Sequence, residues 1–434
     1  MTATGVHGLL DPGAAYGFAL AGDAAVLAAM VRAELAWVRA LADAGRAPAE
    51  LPDALAAAVS VDPLDLVSVA DRAAEGGNPV IPVVDDLRAR AGGERAARFV
   101  HRGLTSQDVL DTALMLVAAD TLDDVAASLV RAGDALAVHA EAHAGSVMMG
   151  RTLTQHAVPV TFGLRAAQWL ASVHDALRDV HECRAALPVQ CGGAAGTRAG
   201  VLVAGATHVE ADDTARPTGT GSGGEGLDLP GRWGELVGLS APSLPWHTRR
   251  RPVTRLGDTL SAVLSAVGHV ATDVTTLSRP EIGELSEGLA AGEGRSSTMP
   301  HKRNPVRAVL VRASAVQAGP LAGTLHQCAA LTVDERPDGA WHAEWPTLQR
   351  LLCLAATAAD QTAALAEGLQ VHADVMRRRV EEAGGLALSE WRGLVRDLPG
   401  APQPPRGARA GDYLGDSGPM TDETIRRWRE RTPR

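Results

Sequence analysis

The sequence predicts a mostly α-helical protein built around a bundle of unusually long helices. Apolar residues recur at helical spacing over long stretches, whereas strand-like alternation bounded by hairpin turns is nearly absent. Aromatic residues make up only 3% of the chain, so the core has to be built from Ala, Leu and Val. Because Ala and Leu are strong helix formers and pack at close distance, this composition favours helix-on-helix packing.

The long helices can be placed in order along the chain. The first begins at Asp23, which can cap it, and ends at Gly45. Its apolar face consists of Leu27, Met30, Val31, Leu35, Val38 and Leu41. A second helix from about Ser106 to Ala132 is apolar nearly all round, which indicates complete burial. Further long helices are predicted near residues 155–187, 253–280, 305–330 and 346–369.

Two segments interrupt the helical pattern. Residues 211–245 are rich in Gly, Pro and Ser and contain the run GTGSGG at 219–224, which predicts a loop inserted between bundle helices. Residues 399–407 are rich in Pro and predict a stiff linker. We therefore expect three domains: an N-terminal helical domain (1–107), a central long-helix bundle with the loop insertion (108–371), and a shortened C-terminal helical domain (372–434).

Composition excludes several classes of function. The net charge of −10 and the lack of a basic stripe argue against a nucleic-acid partner. No run of about 18 uncharged apolar residues occurs, so no membrane partner is expected. The 14 histidines show no HExxH or similar spacing, so neither a metal nor a cofactor is expected.

Cysteine usage and the N-terminus predict a cytoplasmic protein. The four cysteines form no CxxC pair, and a disulfide framework is not expected in a chain of this length. The N-terminus shows no basic start followed by an apolar run, so no signal peptide is predicted. The thiols concerned are Cys183, Cys191, Cys328 and Cys353.

One segment has the composition of a loop that handles an anion. Residues 292–305 read GEGRSSTMPHKRNP. The glycines allow a mobile lid, and Lys302 and Asn304 can hold an anion beneath it. The GxxxxGK[ST] spacing of a phosphate-binding loop is missing. Composition alone is also compatible with a simple Gly-rich loop ahead of a helix.

The segment resembles the SSxMPxKxNP signature of the fumarase/aspartase superfamily. Three other stretches resemble conserved regions of that family in the same order: HRGLTSQDVLDT at 101–112, GRTLTQHAVPVTFG at 150–163 and QCGGAAGT at 190–197. The resemblance extends over roughly residues 15–395. Within the family, the chain is most similar to the 3-carboxy-cis,cis-muconate cycloisomerase branch. The matching stretches are GNPVIP at 77–82, TSQD at 105–108, WHT at 246–248 and the segment 335–345.

The resemblance implies chemistry at the carbon β to a carboxylate, through a carbanion that the carboxylate stabilises. An α C–H is a very weak acid, so such a site needs preorganised positive charge and N–H donors where negative charge develops. The resemblance assigns proton exchange to Ser296, with Lys302 and His101 as further catalytic residues. It implies that the small polycarboxylate substrate is bound by Thr105, Ser106, Gln107, Thr152, Gln155, Thr197 and Asn304.

The run Arg249-Arg250-Arg251 departs from the family's pattern. It is compatible with a solvated run of charges. It is also compatible with extra positive charge facing an anionic substrate, and this second interpretation applies to Arg250.

Two substitutions narrow the substrate. Family members that expel a basic nitrogen group carry a His directly after Gly-Arg-Thr, where this chain has Leu153. A general acid contributes about 10²–10⁴-fold for a basic leaving group and little for a stable anion, so Leu153 indicates that a weakly basic anion moves at Cβ. Trp341 and Trp345 replace positions that are polar in the nucleotide-specific branch, which argues against a nucleotide substrate.

The leading hypothesis is lactonisation of 3-carboxy-cis,cis-muconate to 4-carboxymuconolactone, in the protocatechuate branch of the β-ketoadipate pathway. The alternative is β-elimination from a succinate derivative such as nitrosuccinate, giving fumarate. A third possibility is a non-enzymatic structural homologue, against which Ser296, Lys302 and Asn304 argue.

The resemblance implies a homotetramer with a core of twenty helices, in which three copies contribute to each site. Helices that are apolar all round also need more cover than one chain provides.

Overall fold

The computed structural model describes residues 8–206, 228–290 and 292–431. The GTGSGG run at 219–224 lies outside the described residues. Shorter helices occupy the N-terminal region. They are α1 (Ala15–Ala21), α2 (Asp23–Asp43), α3 (Leu51–Val61), α4 (Leu66–Gly76), α5 (Val80–Arg90) and α6 (Glu94–Ala97).

Long helices dominate the middle of the chain, as the sequence predicted. They are α7 (Ser106–Ala142), α8 (Phe162–Ala185), α11 (Arg251–Leu277), α12 (Val306–Ala330) and α13 (Gly339–Gly368), with the short helices α9 (Ala199–Ala206) and α10 (Leu229–Val237) between them. The C-terminal part contains α14 (Ala373–Ala383), α15 (Ser389–Asp397) and α16 (Ser417–Arg429). The mostly α fold class with long central helices is thereby confirmed.

Two small antiparallel sheets accompany the helices. In one, β1 (Val147–Thr152) pairs with β2 (Gln155–Thr161); in the other, β3 (Leu285–Glu287) pairs with β4 (Leu369–Val371). The prediction of a helix from residue 155 is therefore wrong for residues 155–161, which form β2. The predicted loop at 211–245 is likewise wrong where α10 forms, because Asp228 caps that helix by accepting the N–H of Gly231.

Contacts divide the chain into two compact units. Unit 1 comprises Met1–Asp123, Glu182–Leu260 and Gly319–Ala356, and unit 2 comprises Asp124–His181, Ser261–Ala318 and Thr357–Arg434. Each of the five long helices contributes residues to both units. The predicted division at residues 107 and 371 follows chain order instead and stays a prediction.

Each unit has a core of aliphatic residues around a few aromatic rings. In unit 1, Trp37 and Trp233 meet edge to face at 5.3 Å, and the indole N–H of Trp233 donates to the carbonyl of Ala33. In unit 2, Phe162 and Trp169 meet edge to face at 5.7 Å. The indole N–H of Trp37 donates to the carbonyl of Arg102, and that of Trp169 donates to Asp273. All three buried Trp rings therefore have an acceptor for their N–H group.

The helix α11 is long and apolar enough to cross a membrane by length and composition alone. A core helix of a soluble protein passes the same test. Its apolar positions Leu260, Val263, Leu264 and Val267 are fully buried within the protein. The four cysteines are free and buried, in line with the predicted reduced thiols.

Candidate active site

The predicted site residues fall into two groups, one in each unit. Unit 1 holds His101, Thr105, Ser106, Gln107, Thr197 and Arg250, and unit 2 holds Thr152, Gln155, Ser296, Lys302 and Asn304.

In unit 1, one buried carboxylate organises two of the predicted substrate-binding segments. Asp108 lies in the first turn of α7 and is fully buried. Its Oδ2 accepts the N–H of Thr105 at 3.0 Å and of Gly193 at 2.9 Å. Its Oδ1 accepts the N–H of Gly192 at 2.8 Å and lies 2.8 Å from Nε2 of His247. Asp108 thus joins the start of α7 to the glycine turn.

The glycine turn is shaped by close packing and by left-handed backbone. A Cβ on Gly192 would lie 2.5 Å from the ring of His247, so only glycine fits there. Gly193 and Gly196 both have positive φ angles, at 68° and 74°. Thr197 follows on the exposed side of the turn, where its hydroxyl accepts the N–H of Ala199.

An arginine that the sequence analysis did not assign to the site lies beside Thr105. Nη2 of Arg336 donates to the hydroxyl of Thr105 at 2.6 Å and to the carbonyl of Ala194 at 2.8 Å. The available signal was the Glu335-Arg336 pair, which served only to select a branch of the family. The guanidinium of Arg336 brings positive charge to the half-buried hydroxyls of Thr105 and Ser106, at the start of α7.

His101 is held in a strained position by a buried carboxylate. Its φ angle is 62°, in the left-handed region that non-glycine residues rarely adopt. Its N–H donates to Oε2 of Glu34 at 3.1 Å, and its Nδ1 lies 2.5 Å from Oε1 of the same residue. Within the described residues Nε2 of His101 has no hydrogen bond. The two contacts with Glu34 hold the backbone in this conformation and orient the ring.

Arg250 and Gln107 take part in a buried network rather than an open site. Arg250 donates to both oxygens of Asp111 and of Glu344. Burial disfavours its charge, yet the two carboxylates raise its pKa further above the usual value. Trp341 and Gln107 also donate to Asp111.

The predicted role of Arg250 in substrate binding therefore needs correction. Arg250 is only 2% exposed, and each nitrogen of its guanidinium group already has an acceptor. The side chains of Gln107 and Trp341 are buried in the same network. In this structure these three residues support the fold around α7.

In unit 2, the segment containing Ser296 is a loop closed at its base. The N–H and the side-chain amide of Asn304 both donate to the carbonyl of Gly294, at 2.9 and 3.2 Å. Arg295 and Arg303 form an isolated antiparallel bridge above this closure. Gly294 has a φ angle of 64°, and a Cβ there would lie 2.6 Å from the carbonyl oxygen of Asn304. Asn304 thus shapes the loop itself.

The hydroxyl of Ser296 lies within reach of two backbone donors. The N–H groups of Thr298 and Met299 point to its Oγ, at 3.4 and 3.2 Å. Donors aimed at an oxygen stabilise negative charge on it, so these two N–H groups are placed to support charge that develops on Oγ. Lys302 lies exposed on the same loop.

The hairpin of β1 and β2 carries Thr152 and Gln155. These residues are cross-strand partners on either side of a two-residue turn. The turn residues Leu153 and Thr154 have φ angles of 48° and 71°, values that such turns normally assign to Asn or Gly. Leu153 is 95% exposed at the tip.

A buried ion pair ties this hairpin to the strand that leads into the Ser296 loop. Arg151 donates to both oxygens of Glu284, at 2.8 and 2.9 Å, and Glu284 is fully buried. Glu284 directly precedes β3, which ends at Glu287. The carboxylate of Glu287 accepts the N–H groups of Arg307 and Ala308 at the start of α12. The loop is thereby anchored on both sides.

These features belong to a mostly helical protein in which a serine hydroxyl on a loop closed at its base faces two backbone N–H donors. A family model described as "Lyase" matches residues 23–209 and 234–319. The chain belongs to the fumarase/aspartase superfamily, as the four sequence motifs indicated.

Named relatives represent two different reactions. The chain is 45% identical to nitrosuccinate lyase of Streptomyces davaonensis, over 85% of this chain and 75% of the relative. It is 38% identical to 3-carboxy-cis,cis-muconate cycloisomerase of Pseudomonas aeruginosa, over 85% of this chain and 76% of the relative. The crystal structure of the 3-carboxy-cis,cis-muconate lactonizing enzyme from Pseudomonas putida matches with a TM-score of 0.80 and 30% identity, covering 94% and 95% of the two chains.

Proposed function

We propose that this protein is a β-elimination lyase that converts nitrosuccinate to fumarate and nitrite. The observation that carries this proposal is the 45% identity to nitrosuccinate lyase, against 38% to the cycloisomerase over the same share of the chain. This difference reverses the order of the two hypotheses that the sequence motifs raised.

The proposed reaction begins with proton removal by Ser296. Its alkoxide takes a proton from the carbon next to one carboxylate, and the C–H electron pair forms the new double bond. The C–N bond at the neighbouring carbon then breaks, and nitrite leaves with the electron pair of that C–N bond. The N–H groups of Thr298 and Met299 support the alkoxide, and Lys302 supplies positive charge from the same loop.

Leu153 fits a leaving group of this kind. Nitrite is a stable anion and needs no proton to depart, so a general acid at this position would add little. A leucine side chain cannot donate a proton at all. A succinate derivative with a basic amine at the same carbon would need a general acid to protonate the leaving amine, and Leu153 cannot supply one.

The carboxylates of the substrate need cationic and N–H partners. In unit 1 we assign this role to Arg336 together with Thr105 and Ser106 at the start of α7. Arginine suits it because its planar guanidinium matches a carboxylate. Lys302, supplied by another copy of the chain, is the second candidate partner, with Thr152, Gln155 and Thr197 as further contacts.

Lactonisation of 3-carboxy-cis,cis-muconate is the second candidate function. The fold match to the lactonizing enzyme, with a TM-score of 0.80, favours it. In that reaction a carboxylate oxygen adds to Cβ, and Ser296 in its protonated form delivers a proton to Cα. This reaction also needs no general acid at Leu153.

The proposal includes a homotetramer in the cytoplasm, with each site assembled from several copies. Exposed apolar side chains on α12, such as Val316 at 77% and Val309 at 50%, are compatible with cover by other copies. Sedimentation of the purified protein tests this part separately. A monomer at micromolar concentration would contradict it.

The function is tested by incubating the purified protein with each substrate. With nitrosuccinate we expect nitrite and fumarate in equal amounts, and with carboxymuconate we expect no loss of the muconate absorbance. Ser296→Ala should abolish product formation. Ser172→Ala is the matched control, because that hydroxyl donates only to the carbonyl of Gln168 one turn earlier. Loss of muconate absorbance without nitrite release would favour the second candidate.

A further inference from the structure

A small cavity in unit 1 is lined by three arginines. Its volume is about 180 Å³, and its wall comprises Cys183, Ala186, Leu187, Pro188, Arg249, Arg251, Pro252 and Arg255. This volume is room for roughly six waters at about 30 Å³ each. A phosphate group or a small carboxylate therefore fits inside.

The three guanidinium groups have no carboxylate partner in the part of the chain that the structure describes. Arg249 and Arg251 are exposed and Arg255 is half-buried, and none of them forms a salt bridge there. Arg250, which lies between the first two, behaves differently because both of its carboxylate partners are present. Three like charges around one cavity repel each other, and an anion between them removes that repulsion.

The remaining wall adds no negative charge. Leu187, Pro188 and Pro252 are apolar, and burial raises the pKa of the Cys183 thiol, so that this side chain stays neutral near pH 7. The cavity also lies at the start of α11, whose N-terminus carries partial positive charge. Apolar walls with convergent cationic groups are typical of an oxyanion site.

We propose that this cavity binds a small oxyanion, a phosphate or a carboxylate, independently of the candidate active site. Arg255 is the central ligand, because it is the least exposed of the three arginines. Arg249 and Arg251 close the site from the solvent side. The net charge of the chain is −10, so this local excess of positive charge is set apart from the average surface.

Titration calorimetry with inorganic phosphate, and separately with succinate, tests the proposal on the whole protein. We expect Arg255→Gln to weaken binding of at least one probe about tenfold, and Arg249→Gln to weaken it less. Arg95→Gln is the matched control, because Arg95 is an exposed arginine in the same unit. Preference for phosphate or for succinate identifies the source of the anion.

Three results would overturn the proposal. One is the absence of binding by either probe at low salt. Another is equal binding by Arg255→Gln and Arg95→Gln. The third is loss of binding in Lys302→Gln with full binding in Arg255→Gln, which would place the anion in the candidate active site. If the unaltered protein binds neither probe and Arg255→Gln also shifts in sedimentation, the proposal is overturned in favour of an acidic side chain of a second copy that fills the cavity.

Discussion

The substitution Asp108→Asn tests the buried carboxylate that joins the start of α7 to the glycine turn. Oδ1 of Asp108 faces the N–H of Gly192 and Nε2 of His247, and Oδ2 faces the N–H groups of Gly193 and Thr105. An amide has one NH₂ group, which must replace one of these two oxygens. At Oδ2 it would confront two N–H donors. At Oδ1 it confronts one, because His247 can change tautomer and accept there, although its proton then lies on the buried Nδ1, which has no acceptor among the described residues.

The smaller of these losses sets the expected magnitude. One hydrogen bond to a charged group contributes roughly 1.5–3 kcal/mol, and the bonds that remain lose their charge assistance. We therefore expect Asp108→Asn to lower the free energy of unfolding by about 2–4 kcal/mol. Since Asp108 holds Thr105, KM for the substrate should also rise under conditions where the variant stays folded.

Urea unfolding, monitored by tryptophan fluorescence, measures the free energy of unfolding. Asp71→Asn is the matched control, because Asp71 is an exposed carboxylate on α4 in the same unit. We expect the control to change the free energy of unfolding by less than about 0.5 kcal/mol. If Asp108→Asn behaves like the control in both stability and KM, Asp108 does not organise the two segments.

Three further predictions follow from other parts of the molecule. Thr154→Gly should stabilise the protein by about 1 kcal/mol in urea unfolding, because it removes a β-branched residue from a left-handed position. Burial, and then the neighbouring His139, lower the pKa of His143 below its usual value of 6.5. Because the unfolded chain therefore takes up a proton on His143 at higher pH than the folded chain does, the free energy of unfolding should fall as the pH drops below 6.5. The fall should be less steep in His143→Gln. Ser296→Ala and Arg336→Gln should each abolish activity, and unfolding the two variants and refolding them together should restore measurable activity if different copies supply these residues.

Each of these predictions has a clear contrary result. An unchanged or lower unfolding midpoint for Thr154→Gly would mean that the turn is not strained. An identical pH profile for His143→Gln and the unaltered protein would remove His143 as a contributor. Complete inactivity of the refolded mixture would place both residues of a site on one chain.

The sequence predicted the fold class and the long helices well, and its errors have specific physical causes. The predicted end of the second helix near Ala132 lies ten residues short of the observed end of α7 at Ala142. Gly133 lies inside the helix, and the ring of Trp428 packs where its Cβ would be, at 2.2 Å. This contact accounts for a glycine at a position where local propensity favours a helix end. The fifth long helix was predicted near residues 346–369, but α13 starts at Gly339 and continues through Pro346. Trp341 donates to Asp111 on α7, and Glu344 accepts from Arg250 just before α11. These contacts, which local propensity does not report, hold the start of the helix.

The hairpin of β1 and β2 was missed for a different reason. Its turn, Leu153-Thr154, has neither the Asn nor the Gly that marks such turns in a sequence. Instead, an ion pair joins Arg151 on β1 to Glu284, which lies outside the hairpin, and holds the strand in place. A contact between residues 133 positions apart cannot be inferred from one sequence.

For the site, the sequence found the loop of Ser296 and the segment of Thr105 but not the network that supports them. Motif similarity identifies residues of the right type, whereas it does not show which of them face solvent. Arg250 illustrates this limit, because its charge is used by Asp111 and Glu344. Arg336 illustrates the opposite case, since only its hydrogen bond to Thr105 revealed its place.

The most direct test of the central claim is the measurement of nitrite and fumarate released from nitrosuccinate by the purified protein. We expect both products in a one-to-one ratio with the unaltered protein and with Ser172→Ala, and neither with Ser296→Ala. The proposed lyase activity is contradicted if nitrosuccinate remains intact, or if nitrite appears at the same rate with Ser296→Ala as with the unaltered protein.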